Sequence, residues 1–187
     1  MNIGLCITGS FCTYNRIKQT IKELTEKGHK VLPIVSSAVL SMDTRFGKAQ
    51  DFISDFEVLT GHKVVSTIVA AEPLGPQGAI DVLVIAPCTG NTLSKIANGI
   101  SDDAVTMSAK AHMRNYKPLV IAISTNDALG LNMKNIATLM NAKNVYFVPF
   151  SQDDPVKKPK SLISNLDMLE DTIEQAMLGK QLQPVLL

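Results

Sequence analysis

Cysteine and histidine are scarce in this chain: its 187 residues hold three of each, with no CxxC spacing and the histidines far apart. Both a disulfide framework and a zinc site need thiols or ligands in matched sets, so neither is expected, nor is any other metal centre. Charge of one sign is missing too. Eighteen basic and seventeen acidic residues leave a net charge of +1, so no global field recruits nucleic acid or an anionic membrane. No apolar run approaches the ~18 residues of a spanning helix, and the opening NIGLCITGS shows no basic leader. A soluble, cytoplasmic protein that works with small molecules and other subunits is the expectation. Hydrophobic residues, by contrast, make up 45% of the chain, ample for one sizeable core, so a single domain over residues 1–187 is expected.

Short runs rich in Val, Ile and Leu alternate with segments of helical period. The strand candidates are Ile3–Thr8, Lys30–Val35, Val64–Val69, Val82–Ala86, Leu119–Ile123 and Val145–Val148. Several are apolar without alternation, as strands buried on both faces of a parallel sheet should be. Helix candidates lie between them: Tyr14–Lys27, Gln50–Leu59, Asn91–Asn98, Asp103–Arg114, Leu131–Asn141 and Ser161–Met177. Gly28 reads as a helix-stop glycine. Repeated β-α units with right-handed crossovers give a three-layer, doubly wound α/β sandwich with a mainly parallel, Rossmann-like sheet of about six strands. Ser151–Pro159, which holds Pro155 and Pro159, reads as a long loop or flap that could cover a site or merely connect two elements.

Open parallel sheets bind ligands beyond the carboxyl ends of their strands, so the residues just after each strand are the candidates. After the first comes ITGS, where Gly9 permits close approach of a phosphate and Ser10 offers a hydroxyl, although neither GxGxxG nor a Walker lysine is present. Ser36 and Ser37 follow the second strand and could cap a helix or touch a ligand. APCTGNT places Thr89, Asn91 and Thr92 around Gly90, a richer polar set than one cap requires. Finally, Ser124, Thr125, Asn126 and Asp127 could line the same crevice from its far side or simply form a turn.

GLCITGS, APCTGNTLSKIANGISDDAVT and KPLVIAIS…LNMKNIATLM, in order from Ile3 to about Leu166, resemble the flavoprotein family of FMN-binding cysteine decarboxylases and flavin prenyltransferases. In that family the middle motif commonly reads Pro-Ala-(Ser/Thr)-Ala-Asn-Thr. The resemblance implies FMN as cofactor, with Gly9 and Ser10 at its phosphate, Ser36 contributing a hydroxyl, and Thr89, Asn91 and Thr92 near the flavin. Ser108, on the next helix, is a further cofactor candidate. Homo-oligomers built on trimers, with the flavin between subunits, are implied as well.

Departures from the family pattern restrict the chemistry. The decarboxylases carry a catalytic histidine about eight residues before the aspartate that opens the fourth strand; counting back from Asp81 lands on Pro73, and His62 is out of register. Proline is neither acid nor base, so decarboxylation is disfavoured. Two positions where the prenyltransferases hold prenyl phosphate with arginine are Met107 and Thr125, which disfavours prenyl transfer. A flavodoxin-like carrier is disfavoured by the lack of Trp and by only three Tyr.

Gly90, STNDALGLN and VPFSQDDPVKKPKSL look most like the flavoprotein-like subunits of a two-subunit synthase of endospore-forming bacteria. That resemblance implies a Rossmann-type partner chain carrying NADP and oxidation of a dihydropyridine diacid, or its hydroxylated precursor, to the aromatic diacid in the mother-cell cytoplasm. Asn126 and Arg114 are then candidates for holding the diacid. No catalytic residue is assigned, and a purely structural role or a free-standing flavoprotein are the alternatives. Cys12 and Cys88 follow different strands at one sheet edge and could approach each other. With no adjacent His or Lys to lower a thiol pKa, they are expected to be inert. His29 and His112 are expected at the surface.

Overall fold

The structure is a computed structural model and describes residues 1–75 and 77–187. Its centre is a seven-stranded sheet. Strands β1 (Asn2–Ile7), β2 (Lys30–Val35), β3 (Val82–Cys88) and β4 (Leu119–Thr125) lie parallel in the order β2-β1-β3-β4. The first half of β4 pairs with the parallel β5 (Val145–Phe147). Its last two residues, Ser124 and Thr125, pair instead with β7 (Lys158–Ser164), the antiparallel partner of β6 (Phe150–Asp154). Ser164 joins the two regimes, accepting from the Ile123 N–H at 2.8 Å and donating to the Val148 carbonyl at 3.1 Å.

Eight α-helices among the described residues cover the two faces: α1 (Tyr14–Glu26), α2 (Ser37–Ser41), α3 (Ala49–Thr60), α4 (Ile68–Ala71), α5 (Gly90–Ala97), α6 (Ala104–Met113), α7 (Met133–Met140) and α8 (Leu169–Met177). The twofold period of the strands divides the core between them. Ile3, Leu5, Val82, Val84 and Val120 point to the layer of α1, α3 and α8. Cys6, Leu83, Ile85, Leu119 and Ile121 point to the layer of α5, α6 and α7. Burying each large aliphatic is worth about 1.5–3 kcal/mol, and β1, β3 and β4 each supply both layers. Asp103 starts α6 through a capping box, accepting from the Thr106 N–H at 2.9 Å while its own N–H donates to Thr106 Oγ1 at 3.1 Å. Gly28 follows α1 at φ +83°, the left-handed stop expected of it.

Three expected elements differ. Val64–Val69 is not a strand: only Val65 bridges to Ile34, and Thr67 then caps α4 by accepting from the Ala70 N–H at 3.2 Å. Ser151–Pro159 is no loop but most of the β6–β7 hairpin, whose turn is held by Asp154 Oδ1 accepting from the N–H groups of Val156 and Lys157. Ser161–Met177 is helical only from Leu166, because Ser161–Ser164 completes β7. One strand lost and two gained turn about six into seven.

Candidate functional site

β1, β3 and β4 end side by side, and their side chains knit that edge into a floor. Thr8 Oγ1 donates to the Pro87 carbonyl at 2.6 Å and accepts from the Thr89 N–H at 3.0 Å, tying the end of β1 to that of β3. Ser10 and Ser124 bring their hydroxyls within 2.8 Å, tying β1 to β4. Above this floor lies a cleft of about 710 Å³, within the usual range for small-molecule sites. Gly9, Ser10, Thr89 and Ser124–Asp127 line it, together with Arg45 and Phe46 from the α2–α3 connection and Asp153, Lys158 and Ser161 from the hairpin.

A polar network stands where β4 leaves the sheet. Thr125 Oγ1 donates to Asp127 Oδ1 at 2.7 Å, and Asn132 Nδ2 reaches both oxygens of Asp127 at 2.9 and 2.8 Å. Asn135 Nδ2 in turn donates to Asn132 Oδ1 at 2.8 Å. The network presses on the first residue of α5: a Cβ at Gly90 would lie 2.6 Å from Asn132 Nδ2, 2.6 Å from Thr125 Oγ1 and 2.8 Å from Asp127 Oδ1. Only a glycine fits there while those hydrogen bonds stand.

Of the residues chosen from sequence, Gly9, Ser10, Thr89 and Asn126 line the cleft. Thr92 is buried beneath Thr89, whose hydroxyl accepts from the Thr92 N–H at 3.4 Å, and Asn91 is exposed on the same first turn of α5. Ser36 sits where β2 ends, its N–H donating to the Ile7 carbonyl at 3.1 Å. Its hydroxyl is buried without a hydrogen-bond partner among the described residues, as is that of Ser108 on α6. Arg114 stands apart. It follows α6 at the edge where β4 begins, opposite the cleft. Sequence reasoning passed over Arg45 and Phe46, and took the stretch that holds Asp153 and Lys158 as a loop or flap that could cover a site, without choosing a residue in it. A polar DTRFG turn between two helices carries a turn signal but nothing that says which way its tip faces.

Cysteines and histidines separate clearly. Cys12 is exposed in the cleft with its sulfur 3.8 Å from Ser10 Oγ, whereas Cys6 and Cys88 are buried and burial pushes both thiols well up. No group of three or more His, Cys, Asp or Glu among the described residues is placed to hold a metal. His112 is not at the surface. It is buried at the foot of α6, 3.0 Å from the Pro118 carbonyl, and burial lowers its pKa to about 4, with Lys117 adding to the fall and the Pro118 contact opposing it. The residue packs between α6 and the start of β4, a position that helical period alone does not reveal. His29 is half-buried beside Glu170.

Comparison with known proteins agrees with this geometry. The Flavoprotein family profile matches residues 1–177. The B subunit of dipicolinate synthase from Bacillus subtilis is 50% identical over 98% of this chain and 92% of its own length. The crystal structure of the same subunit from Bacillus halodurans superposes with a TM-score of 0.91 at 48% identity, covering 100% of this chain and 95% of that one. An FMN-dependent cysteine decarboxylase shares the fold, with a TM-score of 0.70 at 21% identity and 95% coverage of both chains. No helix among the described residues is long and apolar enough to cross a membrane.

Proposed function

We propose a function that starts from a plain fact: the chain belongs to the Flavoprotein family. Within it, the chain serves as the B subunit of a dipicolinate synthase. It acts with the A subunit of that synthase, a dinucleotide-binding chain that carries NADP. Together they oxidise dihydrodipicolinate or its hydroxylated precursor to dipicolinate in the cytoplasm of a sporulating mother cell. The observation that carries this reading is the end-to-end likeness to the Bacillus subtilis protein at 50% identity. The cleft is compatible with it. It is lined by hydroxyls, an amide and both signs of charge.

The residues present fit FMN. Ser36 offers a buried hydroxyl, without a partner among the described residues, beside the end of β1. Gly9 leaves backbone open between Phe11 and Ala38, whose Cβ is 3.4 Å from where a Cβ would stand. Gly9, Ser10 and Ser36 would hold the phosphate, while Thr89, Asn91 and Thr92 would meet the flavin at the start of α5. Bound there, FMN supplies a two-electron acceptor. The chain's own task is positioning: Thr8 and the Ser10–Ser124 contact fix the floor, and Asn126, held by Ser161 at 3.3 Å, offers an amide to a carboxylate. Arg114 keeps a role only if a neighbouring copy brings its edge to a site. Homo-oligomers built on trimers are the assembly expected.

Co-purification with the NADP-carrying partner tests the proposal, with formation of the aromatic diacid followed by ultraviolet absorbance and FMN content by visible absorbance. Activity that needs both chains is expected. If the two chains neither associate nor raise each other's activity, the assignment fails.

A further inference from the structure

Among the described residues the cleft contains one cation that is not neutralised. Lys158 is paired with Asp153 at 2.6 Å, and Asp127 is engaged by Thr125 and Asn132. Arg45 lines the same cleft, and no carboxylate lies within ion-pair distance of its guanidinium among the described residues. Its neighbour Phe46 is 48% exposed although aromatic, with its ring centroid 4.9 Å from the guanidinium.

The turn that carries them is tied from several sides. Thr44 and Gly47 exchange backbone hydrogen bonds of 2.9 and 3.1 Å. The Phe46 N–H donates to Thr44 Oγ1 at 3.1 Å, and Asp43 Oδ1 accepts from the Ala49 N–H at 2.9 Å, anchoring the turn to α3. Gly47 has φ +150°, and a Cβ there would come within 2.8 Å of the Phe52 ring. An anchored backbone reduces the ordering cost of using its tip for binding. With the guanidinium over one face of the exposed ring, the pair suits one ligand chemistry: the fork takes a carboxylate through two N–H groups, and the ring offers its remaining face to a flat heterocycle.

We propose that Arg45 holds one carboxylate of a flat heterocyclic dicarboxylate in this cleft, with Phe46 against the ring, so that the Asp43–Lys48 turn determines substrate choice. The inference rests on the diacid reading above. Across the cleft, Ser124 and Asn126 supply neutral donors for the second carboxylate.

Calorimetric titration of the FMN-loaded protein with pyridine-2,6-dicarboxylate, alone and with the NADP-carrying partner, tests it. Wild type is expected to bind, Arg45→Gln to bind about 10–100-fold more weakly, and Arg45→Lys, which keeps the charge without the fork, to fall between. FMN affinity is expected to be the same in all three. Equal diacid affinity in wild type and Arg45→Gln overturns the Arg45 assignment and leaves the synthase reading intact. A parallel loss of FMN affinity overturns it by giving Arg45 to the cofactor. Absence of diacid binding to wild type in both settings overturns both proposals.

Discussion

Replacing Gly90 by alanine separates two opposed expectations. Gly90 opens α5 without a positive φ, so helix propensity alone favours alanine by up to about 1 kcal/mol. The surroundings say otherwise. A methyl group would stand 2.6 Å from two polar atoms and 2.8 Å from a third, each of which must retreat by roughly 0.6–0.8 Å to reach ordinary contact. Those atoms are the donors and the acceptor of the Thr125–Asp127–Asn132 network, with bonds of 2.7, 2.9 and 2.8 Å. Bonds to a charged group contribute about 1.5–3 kcal/mol each, less here because Asp127 is exposed. Losing one and stretching another outweighs the propensity gain, so Gly90→Ala should destabilise by about 1–3 kcal/mol, roughly 3–10 °C in Tm at this chain length. Urea unfolding checks it through a lower midpoint at unchanged slope. In a Thr125→Ala, Asn132→Ala background the same substitution should cost less than half as much. A Gly90→Ala protein as stable as wild type, or more so, would refute the packing argument.

Three further outcomes follow from the same geometry. His112 titrates near 6.5 when unfolded but at about 4 when folded. Between those values only the unfolded chain takes up the proton, so this contribution, about 3 kcal/mol, is complete above pH 6.5 and is lost as pH falls to 4. His112→Gln, which can still donate to Pro118, should flatten the fall of Tm across that window; an unchanged profile would place the acid sensitivity elsewhere. One thiol per native chain, Cys12, should react with a disulfide reagent and all three in denaturant, and FMN should slow Cys12. Native modification of Cys88 would contradict its burial. Gly47→Ala should cost about 1–3 kcal/mol through its positive φ and the Phe52 contact, and should weaken diacid binding as Arg45→Gln does; a change in stability alone would uncouple the turn from the ligand.

The parallel core was legible because its strands carry unbroken Val, Ile and Leu between helices of clear period. β2 even has the bounds read from sequence. Val64–Val69 misled because β-branched residues favour a strand; Thr67 as cap, with Glu72 and Pro73 opening the next turn, makes a short helix from Ile68. The hairpin was hidden by its own edge chemistry. The lysines and the proline in KKPKS read as loop, yet they lie where β7 runs beyond its pairing with β4, a free edge that tolerates them. Glycines and hydroxyls after β1 and β3 marked the floor of the site, since the topology sends every such loop to one edge. Arg45 and Phe46 were invisible for the opposite reason: they reach the cleft from a connection between two helices, whose direction depends on how α3 packs.

Two departures from the family pattern that look independent in the sequence are one arrangement in space. On the resemblance read from the sequence, Gly90 falls where the family motif commonly has alanine and Thr125 where an arginine of the prenyltransferases is expected. In the fold, Thr125 Oγ1 is 2.6 Å from the position a Cβ on residue 90 would take, and the same hydroxyl donates to Asp127. Once threonine occupies 125 and engages Asp127, the start of α5 has no room for a side chain. Glycine at 90 is therefore a consequence of the network. The end of β4 thereby carries a carboxylate engaged by two neutral donors. With Asp127 on that side of the cleft, the carboxylate of a diacid that needs a cation is directed towards the turn that carries Arg45, and the other is left to neutral donors.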